Sequence, residues 1–217
     1  MDNIFEIHGI TLEHNYDIKA WGTSNHVIGE NAYDLPKNLK NKVVVDVGAN
    51  IGAFSILAAK QGAIVYAFEP YPANYEMLLK NIKHNHVENL IHPFPVAIGK
   101  KRVAKLYLHP TRSDWASLDI SLNELKEDDY VMVSVVSLKS VFESEKIDNC
   151  FFLKLDCEGA EKEIIEEIIA GLYKKIHFIS GEFHYSNSET QKELKDLEPY
   201  YVVRKKMQEW EYKLERK

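Results

Sequence analysis

The sequence predicts an α/β fold in which parallel strands alternate with helices. Short runs of apolar, β-branched residues recur along the chain, and the first two are each followed by a segment with apolar residues at helical spacing. A loop that contains Gly48 and Gly52 joins the first run to its helix. This order favours a sheet of parallel strands with right-handed crossovers and helices on both faces.

The individual elements follow from these patterns, beginning at residue 42. We predict strands over 42–47, 63–68, 89–97, 103–108, 131–136, 151–155 and 175–180, and helices over 53–61, 71–86 and 159–171. Residues 200–206 and 210–214 are typical of a strand pair that turns around Gln208 and Glu209. Residues 1–40 are predicted to form an N-terminal extension of short strands or a helix, and residues 41–217 a single domain.

Length and composition restrict the class of protein. The chain has 217 residues, a formal net charge of −6 and two cysteines that do not form a C-x-x-C pair. No apolar run reaches the roughly 18 residues of a membrane span. We therefore expect a soluble cytoplasmic protein, and the acidic balance disfavours a nucleic-acid or membrane partner.

The loop after the first strand has the spacing Asp46-x-Gly48-x-Asn50-x-Gly52. Glycine at the turn lets a ligand approach the backbone closely. The spacing differs from the dinucleotide fingerprint G-x-G-x-x-G, and the carboxylate of Asp46 would repel a phosphate. Glu69 ends the second strand, 69 − 46 = 23 positions later, where an acid can accept hydrogen bonds from ribose hydroxyls. The pattern indicates a nucleoside ligand that has no phosphate, such as S-adenosylmethionine.

Four segments together resemble the FkbM family of methyltransferases, over roughly residues 43–182: VVVDVGANIG (43–52), FEP (68–70), PVAIG (95–99) and KLDCEGAE (154–161). The resemblance implies a Rossmann-like class I methyltransferase sheet of seven strands with an antiparallel final strand. It also implies S-adenosylmethionine as cofactor and O-methylation of a hydroxyl on a sugar or other small, natural-product-like acceptor. Carried onto this sequence, it assigns the amino-acid end of the cofactor to Asp46, Gly48, Asn50 and Gly52, the ribose to Glu69 and the adenine edge to Ala97.

Acidic residues and a histidine follow the later strands. Asp156 ends the fourth core strand beside the cofactor crevice, and is our first candidate for the base that removes the acceptor's proton as well as a cofactor-binding residue. Glu182 and His184 follow the next strand and alternate onto one face, so both are further catalytic candidates. Asp156, Glu158 and Glu182 match no metal signature, and we expect no metal. Arg112 and Trp115, in the long segment 109–130, would suit a sugar or a planar acid.

Alternative functions remain open at this point. Residues 65–70 with 79–85 resemble the cofactor half of a tRNA guanine methyltransferase family, although no N-P-P-type element follows the fourth strand. A non-catalytic binding protein that keeps the fold is a second alternative. A nicotinamide-dependent oxidoreductase is disfavoured because the third glycine of its fingerprint is missing.

Overall fold

A seven-stranded sheet forms the centre of the protein. The structure is a computed structural model and describes residues 3–14, 19–112, 115–121, 125–184, 187–206 and 211–217. Its strands are β1 (Ile4–Ile7), β2 (Ile10–Glu13), β3 (Val43–Val47), β4 (Ile64–Phe68), β5 (Ile91–Phe94), β6 (Ala97–Ile98), β7 (Val103–Tyr107), β8 (Tyr130–Val136), β9 (Cys150–Leu155), β10 (Ile176–Glu182), β11 (Tyr201–Lys206) and β12 (Glu211–Arg216). Its helices are α1 (Ala20–Ile28), α2 (Ala53–Lys60), α3 (Pro72–His84), α4 (Leu138–Ser144), α5 (Glu161–Ile169) and α6 (Asn187–Leu197).

The strand order of the central sheet is β11-β12-β10-β9-β3-β4-β5. The five adjacent strands β10, β9, β3, β4 and β5 run parallel to one another. Strand β12 is antiparallel to both β10 and β11. The predicted mostly parallel sheet with an antiparallel final strand is therefore confirmed. The predicted turn at Gln208 and Glu209 lies outside the described residues.

Apolar side chains cover both faces of this sheet because successive residues of a strand point to opposite sides. On β3, Val44 faces a core formed with α1, α2 and α3. Val45 and Val47, on the other face of the same strand, contact a second core formed with α4, α5 and α6. Two separate cores explain why the strands carry continuous apolar runs, and why helices lie on both faces.

The chain departs from the predicted elements where proline interrupts a strand. The predicted strand 89–97 is divided into β5 and β6 around Pro95, which has no N–H to donate to a sheet. β6 pairs with β8 instead, and β8 pairs with β7, in a separate three-stranded sheet. Helices α4 and α6 were not predicted.

None of the helices in the described ranges is long and apolar enough to cross a membrane.

The N-terminal residues form a hairpin and a helix that pack on the main fold. Strands β1 and β2 are joined at His8 and Gly9, which both have positive φ, as the tightest hairpin turns require. Asn85, directly after α3, holds β2 through hydrogen bonds to both the N–H and the carbonyl of Thr11, at 3.1 and 2.7 Å. Helix α1 contacts α2, which places the N-terminal segment beside the carboxyl ends of the parallel strands.

Candidate active site

The glycine loop after β3 crosses close to the end of β9. Gly48 has a φ of +82°, and a Cβ at this position would lie 1.8 Å from the carbonyl oxygen of Asp156. Gly52 has a φ of +97° and precedes the first residue of α2, where a Cβ would meet Leu78. Both positions therefore favour glycine for backbone conformation, and Gly48 also requires it for space because the obstacle there is backbone.

A buried ion pair lies next to this loop and is hydrogen-bonded to it. Lys154 of β9 and Asp46 of β3 are 3 % and 0 % exposed. The Lys154 Nζ lies 3.1 Å from Asp46 Oδ1 and donates to the carbonyl oxygen of Gly48 at 2.7 Å. Asp46 Oδ2 accepts from the hydroxyl of Ser55 at 2.6 Å. Burial alone would lower the pKa of Lys154, but the carboxylates of Asp46 and Asp156 outweigh it, so the lysine stays charged.

Glu69 lies at the end of β4 and faces the loop. Its two carboxylate oxygens accept the backbone N–H groups of Asn50 and Tyr71 at 2.8 and 2.9 Å. Burial raises the pKa of Glu69 to about 7, although these two hydrogen bonds lower it in part. The carboxylate is thus oriented by backbone donors and is poised to change its charge near neutral pH.

A cavity of about 370 Å³ opens beside these groups. Its wall includes residues 47–51 of the loop, 68–70 at the end of β4, 96–98 around β6, and the acidic side chains of Asp156, Glu158 and Glu182. The lining also includes residues of α1, Tyr33, Arg112 and Trp115. The guanidinium of Arg112 stacks over the Trp115 ring at 3.8 Å. This volume falls within the range of small-molecule binding sites.

Three carboxylates of the cavity wall converge on His184, which does not itself line the cavity. The His184 Nε2 is 3.4 Å from Glu158 Oε1, 3.5 Å from Glu182 Oε2 and 3.8 Å from Asp156 Oδ1. The other ring nitrogen, Nδ1, donates to Glu161 Oε1 at 3.0 Å. These carboxylates come from the end of β9, the following turn, the start of α5 and the end of β10.

Glu161 anchors this cluster. It is fully buried and accepts the backbone N–H groups of Cys157 and Gly159, at 3.1 and 2.9 Å, as well as the His184 ring. Burial alone would lower the pKa of His184, but its hydrogen bonds to Glu161 and Glu182 raise the pKa well above the usual range. The imidazole is therefore a cation at neutral pH, which balances part of the surrounding negative charge.

The same groups have a spacing that a metal ion can bridge. Ligand atoms of Asp156, Glu158 and His184 all lie within 4.8 Å of one another. Carboxylate oxygens and an imidazole nitrogen suit several divalent cations. An imidazole that keeps both protons cannot ligate a metal, however, so a metal would have to displace the proton from Nε2 first.

The structure places most of the predicted site residues on one cavity. Those that line it are Gly48, Asn50, Glu69, Ala97, Asp156 and Glu182. The remaining three, Asp46, Gly52 and His184, are not part of the wall. Asp46 is paired with Lys154, and Gly52 lies against Leu78. The contact of these two residues with the cofactor stays a prediction.

Sequence reasoning missed two residues of the site. Lys154 belongs to the KLDCEGAE motif, and a lysine in the apolar strand sequence CFFLKL must be paired if it is buried. Tyr33 donates its hydroxyl to Asp156 Oδ2 at 2.6 Å across 123 positions of sequence. No local pattern around Tyr33 signals this contact.

Comparisons with known proteins agree with this geometry. Residues 46–214 match the family model described as Methyltransferase FkbM domain. The chain is 30 % identical over 140 residues to the tRNA (guanine(37)-N(1))-methyltransferase Trm5b of Methanocaldococcus jannaschii, a match that covers 64 % of this chain and 40 % of that protein. It is 33 % identical over 136 residues to the tRNA (guanine(37)-N(1))-methyltransferase of Candida albicans, covering 60 % of this chain and 30 % of that protein. The matches thus span less than half the length of these curated relatives.

A solved structure shares the fold. The human methyltransferase 10 domain containing protein superposes with a TM-score of 0.51 and 15 % identity, over 95 % of this chain and 87 % of that chain.

These relatives correct one expectation. We predicted that the acidic composition disfavours a nucleic-acid partner, and this prediction is wrong, since the relatives named above are tRNA methyltransferases. Net charge sums over the whole surface and does not describe the surface around one cavity, so it cannot exclude a nucleic acid there.

Proposed function

The chain belongs to the FkbM family of S-adenosylmethionine-dependent methyltransferases, and from this premise we propose that it transfers a methyl group to an acceptor atom that loses a proton to the acidic end of the cavity. One observation carries the proposal. A single cavity joins the glycine loop and Glu69, which suit the cofactor, to Asp156 and Glu182, which suit an acceptor.

The proposed cofactor site uses the backbone more than side chains. The turn at Gly48 and Asn50 receives the amino-acid end, Glu69 the ribose hydroxyls, and Ala97 the adenine edge. Glu69 is supported by its orientation, because two backbone N–H groups fix the carboxylate toward the cavity. S-adenosylmethionine supplies the methyl group when it is bound.

Asp156 is the proposed catalytic base, with Glu182 beside it. Desolvation raises the pKa of Asp156, but Lys154 and His184 outweigh it, and the net pKa lies below the usual value. The group is thus ionised and ready to accept a hydrogen bond from an acceptor O–H or N–H. His184 is protonated and serves as the counter-ion of the carboxylates rather than as the base. Alignment of acceptor and methyl group supplies the larger part of the rate.

Two acceptor classes fit this end of the cavity. A sugar or another small, natural-product-like molecule would donate a hydroxyl to Asp156, and its ring would stack on Trp115, which also lines the cavity. A guanine base of a tRNA would donate an N–H to the same carboxylate and use the same stacking surface. The relatives that are tRNA methyltransferases favour this second class.

We further propose that residues 41–217 form the methyltransferase domain and that residues 1–40 are an extension that closes one wall of its cavity. The extension shares a core with α2 and α3, and α1 and Tyr33 line the cavity.

The test begins with calorimetric titration of the protein with S-adenosylmethionine, S-adenosylhomocysteine, NAD and NADP. Binding of the two sulfur ligands alone is expected. Labelled methyl transfer is then measured in parallel to total tRNA and to a panel of sugars and alcohols, with Asp156→Asn as a control whose turnover is expected to be much lower but still measurable. Binding of a nicotinamide cofactor alone, or cofactor binding without transfer to either class, would overturn the proposal.

A further inference from the structure

Tyr33, in the segment before the family-matched region, lines the active-site cavity and contacts Asp156. Tyr33 is buried, its ring meets Phe54 edge-on at 5.4 Å between centroids, and its hydroxyl donates to Asp156 Oδ2 at 2.6 Å. We propose that Tyr33 is a positioning residue, which holds Asp156 so that its other carboxylate oxygen, Oδ1, faces the acceptor. The catalytic part of this inference rests on the role proposed above for Asp156.

The contact from Tyr33 fixes one of the two carboxylate oxygens of Asp156. Tyr33 and Lys154 both approach Oδ2, at 2.6 and 3.6 Å. Oδ1 is left 3.8 Å from the His184 Nε2, which is longer than a hydrogen bond. A carboxylate held through one oxygen keeps one orientation, and the second oxygen retains its capacity to accept a proton or a hydrogen bond.

The loop that carries Tyr33 is itself locked in an uncommon conformation. Asn31 and Asp34, on either side of Tyr33, have φ values of +52° and +51°. The Asn31 side chain bonds both the N–H and the carbonyl of Leu35, at 2.9 and 3.0 Å. Such backbone conformations persist where surrounding contacts over-determine them, and they cluster at functional sites.

A second clamp comes from the C-terminal hairpin. Lys213 of β12 is largely buried and donates to both the carbonyl oxygen and the Oδ2 of Asp34, at 2.7 and 2.8 Å. Tyr33 therefore projects from a segment that is fixed on both sides, at Asn31 and at Asp34. Burial of the tyrosine ring alone does not need these two attachments. Precise placement of the tyrosine hydroxyl does need a rigid segment.

The charge environment predicts how Asp156 responds to loss of the tyrosine. The charged or titratable groups that face it are Lys154, Asp46, Glu158, Glu161, Glu182, Cys157 and His184. The hydrogen bond from Tyr33 adds to the effects of Lys154 and His184 that lower the pKa of Asp156. Without the hydroxyl, the carboxylate is expected to titrate at a higher pH and to rotate more freely.

The test compares Tyr33→Phe with Tyr201→Phe, a matched control whose buried hydroxyl donates to the Ile176 carbonyl at 3.2 Å, away from the cavity. Carbon-13 NMR of the aspartate carboxyl groups needs no acceptor. We expect the Asp156 titration to move to higher pH in Tyr33→Phe and to stay unchanged in Tyr201→Phe. An unchanged titration in both variants would overturn the inference.

Kinetics test the catalytic part. Loss of a hydrogen bond to a charged group predicts a kcat about tenfold lower or more in Tyr33→Phe, unchanged cofactor affinity, and an acid limb of the kcat profile at higher pH. In the Asp156→Asn background, Tyr33→Phe should cause no further loss, since the tyrosine acts through Asp156. An additional loss there would refute a positioning role. Absence of transfer to any acceptor would overturn the proposed function, while the NMR titration would still decide whether Tyr33 holds Asp156.

Discussion

The buried ion pair beneath the glycine loop allows a quantitative prediction. Lys154→Met keeps most of the apolar stem and removes the charge. Asp46 would then keep the Ser55 hydroxyl at 2.6 Å and lose its cation at 3.1 Å, in a position that is 0 % exposed. Removal of one partner of a buried pair costs about 3–5 kcal/mol. For a chain of this length that corresponds to a Tm lower by about 6–20 °C.

Urea unfolding followed by tryptophan fluorescence would measure this loss. The matched control is Lys80→Met, which removes a cation that pairs with Glu13 at 2.8 Å but is 51 % exposed. An exposed pair contributes about 0–1 kcal/mol, so the control should unfold almost as the parent does. Asp46→Asn combined with Lys154→Met should be more stable than Lys154→Met alone, because no unpaired charge remains buried. Equal losses in Lys154→Met and Lys80→Met would refute the reasoning.

Three further predictions concern the ligand. Gly48→Ala should weaken S-adenosylmethionine binding, measured by calorimetry, about tenfold or more, because the new Cβ would lie 1.8 Å from the Asp156 carbonyl oxygen. The control is Gly22→Ala, where no atom lies within 4 Å of the new Cβ. Equal affinities of the two variants would contradict the role of Gly48. Ribose hydroxyls favour ionised Glu69, so binding lowers its pKa and affinity should fall as the pH drops below about 7, by at most about tenfold per pH unit. Glu69→Gln should remove that dependence, and a flat profile for the parent protein would speak against the ribose role. Methyl transfer should survive EDTA, because a protonated His184 occupies the position between the carboxylates; activity lost to EDTA and restored by Mg²⁺ would overturn the expectation of no metal.

The central sheet was predictable because its strands carry local signals. The run Val43–Val47 is buried on both faces of the sheet, so apolar residues occupy every position except Asp46 and the strand is easily recognised. The glycine loop was predictable for a related reason, since positive φ and close approach to Asp156 leave glycine as the residue that fits at position 48.

Other elements lack such signals. Helix α4 has seven residues, too few for a clear apolar stripe, and α6 is mostly polar. The contact between Tyr33 and Asp156 depends on how the N-terminal segment packs, which no spacing in the sequence encodes. Asp46 was recognised as a special position, but a carboxylate beside a ligand and a carboxylate paired beneath a loop look the same in sequence.

The clamp between Asp34 and Lys213 has a consequence for folding kinetics. These residues are separated by 179 positions, and Lys213 takes its place only when β12 pairs with β10. Contacts between distant parts of a chain form slowly, because the loop between them must be closed first. The wall of the cavity that contains Tyr33 is therefore expected to assemble in the last stage of folding, so that recovery of ligand affinity after dilution from denaturant should lag behind recovery of the central sheet.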